Sequence, residues 1–118
     1  MGGYIKLHRQ IMEWEWYKDI NTFKVFMHLL LIVNIKDIKY MGQIINRGSK
    51  VIKESVLGEE LGLTYQEVRT ALSKLIRSGA VERKSTNKFT VINIVNYEVY
   101  QGNSEEVQRT INEQSTNN

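Results

Sequence analysis

Between Asn21 and Asn34, Phe23, Phe26, Met27, Leu30 and Leu31 recur at helical spacing, and Val25, Leu29 and Ile32 fill other faces. A helix apolar around so much of its surface belongs at the centre of a core. Asn21 or Thr22 is placed to cap it. Ahead of it, Tyr4, Ile5 and Leu7 suggest a short extended start, and residues 8–15 a short helix. Trp14, Trp16 and Tyr17 then cluster, a pattern that fits core packing. Gly42 breaks the helical period. Residues 43–45 and 50–52 read as two short strands around the turn Asn46-Arg47-Gly48-Ser49, a hairpin.

The segment 54–79 carries the sharpest local signals. Ser55 is placed to cap a short helix bearing Val56, Leu57 and Leu61, which Gly62 ends. Thr64-Tyr65-Gln66-Glu67 is a Thr-x-x-Glu capping box, flanked by Leu63 and Val68 in the positions of a hydrophobic staple. The helix it opens runs on Val68, Ala71, Leu72, Leu75 and Ile76 to Gly79. Two helices meeting across a glycine-containing turn have the grammar of helix-turn-helix. Residues 80–84 then read as a strand, 85–88 as a turn, and 89–95 as a second, β-branched strand. Helix, turn, helix, strand, turn, strand is the order of a winged helix with its wing tip at 84–88. The expected class is mainly α with small β-hairpins (α+β), a winged helix-turn-helix over residues 1–101.

From Gly102 onward the sequence is rich in Asn, Gln, Ser, Thr and Glu, with Val107 and Ile111 its only large apolar residues. That composition buries too little surface to offset chain entropy, so 102–118 reads as a polar linker or tail. The Val107 and Ile111 spacing leaves room for a short induced helix. The chain has 118 residues, no cysteine and no proline, so disulfides and thiolate metal sites are excluded. Its longest apolar run, residues 29–33, is far too short to cross a bilayer. No secretory signal pattern opens it. His8 and His28 lack any ligand-type spacing. No paired-carboxylate, nucleophile-elbow or phosphate-loop pattern appears, so the expectation is a non-enzyme without a cofactor.

The formal net charge is +3, unevenly spread. Between 69 and 88 lie Arg69, Lys74, Arg77, Arg83, Lys84 and Lys88 against one acid, Glu82. With Val68, Leu72, Leu75 and Ile76 inward, Gln66, Arg69, Thr70, Ser73, Lys74 and Arg77 point outward, a face of three cations, two hydroxyls and an amide. A DNA major groove accepts one such helix. Arg69 can fork onto guanine, and Gln66 can pair with adenine. Thr70 and Ser73 can touch base or phosphate, and Lys74 and Arg77 suit the backbone. Lys84, Asn87 and Lys88 at the wing tip can enter a minor groove or grip phosphate. Tyr65 and Phe89 could stack bases but also have ordinary packing roles. A plain solvated face or a protein-docking face has the same composition.

Three motifs carry a resemblance: W-E-W-Y at 14–17, R-T-A-L at 69–72 and S-T-N-K-F-T-V-I at 85–92. With the stretches around them, residues 3–101 resemble the N-terminal domain of phage replisome organiser proteins, which is related to that of the bacterial primosome protein DnaD. The resemblance implies a winged-helix domain that binds the repeats of a replication origin as double-stranded DNA and self-associates, in the cytoplasm of a bacterial host. It also implies a longer parent protein, in which a second domain beyond the polar linker helps bring in the helicase loader. The same fold serves transcriptional regulators, and also interaction modules that oligomerise without DNA.

Overall fold

The structure, a computed structural model, describes residues 3–101. The expected linker and its induced helix at 102–118 lie outside the described residues. The described residues form an α+β fold of three α-helices and two small antiparallel sheets. No helix among the described residues is long and apolar enough to cross a membrane.

The opening segment closes onto the end of the domain. Ile5 bridges Gln101, and the Lys6 amide donates to the Tyr100 carbonyl at 2.9 Å. In place of the expected helix at 8–15 there is a 3-10 turn at Arg9–Glu13. Helix α1 (Ile20–Ile32) is capped by Asp19, whose carboxylate accepts the Thr22 amide at 3.2 Å. This corrects the cap expected at Asn21 or Thr22. The helix starts earlier, and a carboxylate also complements the positive end of the helix dipole. Its apolar residues are not all buried. Val25 and Leu29 are fully buried, but Leu31 is 68% and Ile20 79% exposed.

The expected hairpin of 43–45 with 50–52 does not form. Strand β2 (Gln43–Ile45) pairs backwards with β1 (Ile38–Tyr40), in register Tyr40 to Gln43. The two linking residues, Met41 and Gly42, both have positive φ, at 49° and 81°. That is the backbone demanded by a tight two-residue hairpin turn, so Gly42 closes a hairpin rather than merely ending a helix. After β2 the chain crosses to another sheet. Strand β3 (Ser49–Ile52) pairs with β5 (Thr90–Ile94), which also pairs with β4 (Val81–Ser85). The crossing pivots on Gly48, at φ +79°. Its amide donates to the Asn34 carbonyl at 2.7 Å, and its carbonyl accepts the Ile94 amide at 2.8 Å.

Helix α2 (Glu54–Leu61) starts without a side-chain cap. Lys53 holds the cap position, and Glu54, not Ser55, leads the helix. The left-handed Gly62 ends it. Helix α3 (Tyr65–Arg77) opens on the expected capping box, with the Glu67 amide on Thr64 Oγ1 at 3.1 Å and the Thr64 amide on Glu67 Oε1 at 2.8 Å. It closes with the Ala80 amide on the Leu75 carbonyl and the Gly79 amide on that of Ile76, a Schellman pair. Val68, Leu72 and Leu75 of α3 join Val25, Phe26 and Leu29 of α1, Leu57 and Leu61 of α2, and Ile92 and Ile94 of β5 in one core. Trp14 packs on Phe26 with ring centres 4.8 Å apart.

Candidate functional site

The outer surface of α3 and the β4–β5 hairpin beside it hold every residue singled out for chemistry. At 3.6 residues per turn, Gln66, Thr70, Ser73 and Arg77 form the middle of the exposed face, and all four are exposed. The one carboxylate on α3, Glu67, is turned back onto the Thr64 amide. Arg69 and Lys74 do not share this middle. They lie on opposite flanks, about 140° apart around the axis, and each meets a different neighbour.

The Lys74 flank faces α1. Its Nζ lies 2.6 Å from Asp19 Oδ2 and 5.8 Å from the Trp16 ring centre. Trp16 in turn donates from Nε1 to Ser78 Oγ at 3.0 Å. The Lys74 ammonium, hydrogen-bonded to Asp19, holds that carboxyl below its ordinary range, against the opposing effect of partial burial. Lys74 therefore ties the end of α3 to the cap of α1, rather than standing out beside Arg77.

The Arg69 flank faces α2 and the β4–β5 hairpin. Its guanidinium lies 5.7 Å from the Tyr65 ring centre, and its Nε is 4.0 Å from Glu54 Oε1. Arg83 reaches the same carboxylate from β4, with Nη1 3.4 Å from Oε2. Arg83 can do so because it stands opposite the buried Ile92, on the inner side of the sheet. Its neighbour Lys84 stands opposite Val91 on the other side, as alternation requires. Glu82, the sole acid within 69–88, accepts instead from Asn93 Nδ2 at 3.3 Å.

The turn at the tip of the hairpin holds neither glycine nor proline. Thr86 closes it: its amide donates to the Phe89 carbonyl at 2.8 Å, and its hydroxyl accepts the amides of Lys88 and Phe89, each at 3.1 Å. This is a Ser/Thr turn, and it leaves the Asn87 and Lys88 side chains exposed. Below the tip, an open groove of about 430 Å³ is lined by Tyr40, Lys53, Glu54, Tyr65, Arg83 and Phe89. Tyr40 meets Phe89 edge-on at 5.1 Å, so the β1–β2 hairpin leans on the β4–β5 tip.

Three of the six cations therefore have acidic partners: Lys74 has Asp19, and Arg69 and Arg83 share Glu54. Among the described residues no carboxylate pairs with Arg77, Lys84 or Lys88. Glu54 escapes a reading by segment because it lies on another element, far along the chain from both arginines. Chemically the surface offers hydroxyls, an amide and cations to a polyanion, with aromatic rings at its edge. No group of three or more His, Asp or Glu side chains able to hold a metal occurs among the described residues. No protein-family model matches the chain, and no curated protein or solved structure matches it either.

Proposed function

We propose that residues 3–101 act as a winged helix-turn-helix module that binds double-stranded DNA, as in a phage-type replisome organiser at a replication origin. The reading is carried by one observation. The middle of the exposed face of α3 is free of acid and holds Gln66, Thr70, Ser73 and Arg77, while the adjoining hairpin adds Lys84 and Lys88, which pair with no carboxylate among the described residues. In this reading α3 enters a major groove, where Gln66 and Arg69 reach base edges. Lys84, Asn87 and Lys88 hold the neighbouring backbone, which positions the module without reading sequence. The role at an origin, and in the cytoplasm of a bacterial host, rests on the resemblance of 3–101 to replisome organisers. The groove chemistry alone serves a transcriptional regulator equally well.

A mobility-shift series tests the reading, with candidate origin DNA against random duplex at several salt concentrations. Tighter binding to the origin fragment is expected, with affinity for both probes falling steeply as salt rises. Absence of binding to either duplex at low salt overturns it. Self-association is part of the same proposal. Ile38, Tyr40, Met41 and Ile44 of the β1–β2 hairpin are all exposed, and exposed strand edges with apolar side chains pair readily with another chain. Sedimentation at micromolar concentration should show a dimer or larger species, and Ile44→Lys should shift it toward monomer. A monomer at every concentration counts against this surface.

A further inference from the structure

Among the described residues, Glu54 is the one carboxylate that pairs with cations of both α3 and the β4–β5 hairpin, and it is shut in. Its side chain is 12% exposed, against 52% for Arg69 and 37% for Arg83. Its Oε2 is buried and accepts no hydrogen bond from the described residues. The gaps of 3.4 and 4.0 Å to the two guanidiniums are long for a charge-assisted fork, which closes to about 2.7–2.9 Å. The pairs are thus held by charge rather than by well-made hydrogen bonds. A carboxylate that served to lock two arginines in a fixed pose would grip them closely. This one is near enough to offset their charge and too far to fix their direction.

We infer that Glu54 is a specificity-determining residue. It stands in for a phosphate group between Arg69 and Arg83 and so weakens the hold of the interface on DNA of random sequence. The chemistry is direct. Carboxylate and phosphate oxygens offer a guanidinium the same paired acceptors. A backbone phosphate reaching the exposed sides of Arg69 and Arg83 meets charge already offset, and also meets repulsion from Glu54 itself. Random DNA is held almost wholly by phosphate contacts, so it loses most. A guanine edge is neutral and offers Arg69 its O6 and N7 acceptors, so a correct site loses less. The inference rests on the DNA reading above and adds a residue that works against raw affinity.

The test uses the native chain, Glu54→Gln and the paired variant Glu54→Gln/Arg83→Met, with a short random-sequence duplex titrated over several salt concentrations and a thermal melt of each protein. Glu54→Gln should bind the random duplex about ten-fold tighter at low salt. Its slope of log K against log salt should steepen by about one unit, the mark of one more phosphate contact. The paired variant exchanges an ion pair for neutral side chains of similar length, a change that folds tolerate well. It should stay within about two-fold of the native chain, because removing one cation together with one anion leaves the net charge beside Arg69 at its native value. A folded Glu54→Gln that binds random duplex no better than the native chain overturns the inference. So does a several-fold loss in the paired variant, which reads the same question should the single variant fail to fold. If the native chain and both variants leave the duplex unbound at low salt, the DNA reading falls and this inference falls with it.

Discussion

Lys74 shows how a side chain on a basic stretch is diverted by the fold. Its ammonium is held between Asp19 and the Trp16 ring, so its charge is offset within the fold. Lys74→Ala should cost about 0.5–1 kcal/mol, the range of a partly exposed ion pair, while leaving the salt dependence of DNA binding unchanged. The contribution has a pH signature. Because Asp19 titrates below its ordinary range when folded, the native state binds fewer protons than the unfolded chain in acid. The stabilisation is complete above the ordinary aspartate value of about 4 and is lost as pH falls through the lowered folded value. Thermal melts across that window should show a flatter acid limb for Lys74→Ala than for the native chain. Arg69 makes the opposite case, half exposed and only loosely paired. Arg69→Ala should weaken binding at a specific site by about 1–3 kcal/mol, the typical worth of a bidentate base contact. An equal loss on random duplex would show that it touches phosphate alone.

Elements closed by neighbours along the chain are legible from residue type and spacing, and those closed by distant partners are not. The capping box at Thr64 and the glycine stops at Gly62 and Gly79 involve groups only a few residues apart, which suffices to place α3. β-Branched residues mark where the strands lie but not which of them pair. Turn chemistry at 46–49 resembles a hairpin loop, yet β3 finds its partner in β5, with Ser49 opposite Asn93 and Ile52 opposite Thr90. The reason lies at Gly48. A Cβ built there would stand 2.7 Å from Tyr97 Cβ, so this backbone is pressed against the 3-10 turn at Tyr97–Tyr100 rather than looping into solvent. Gly48→Ala should therefore destabilise by about 2–4 kcal/mol, combining a left-handed backbone with overpacking against a side-chain stem that cannot swing away. A chemical-denaturation curve with unchanged midpoint would show that the crossing relaxes freely.

For the molecule as a whole, the ion pairs recast the charge that the sequence displays. Six cations within 69–88 face one acid along the chain, which suggests about four or five phosphate contacts. Folding brings Asp19 onto Lys74 and Glu54 between Arg69 and Arg83, and neither acid is near these cations in sequence. Arg77, Lys84 and Lys88 are left to act as full charges. Each phosphate contact contributes roughly −0.9 to the slope of log K against log salt, so three give about −3 per chain, and a dimer using both copies gives about twice that. Replacing Lys84 and Lys88 together by alanine should make the slope shallower by about one to two units per chain. All sequences should weaken about equally, since phosphates carry no sequence information. Stability should barely change, because both side chains are exposed and without acidic partners among the described residues. A double variant that keeps the native slope would mean that the β4–β5 tip stays clear of the duplex. The hairpin, with Phe89 braced against Tyr40, would then be better read as a surface for docking protein.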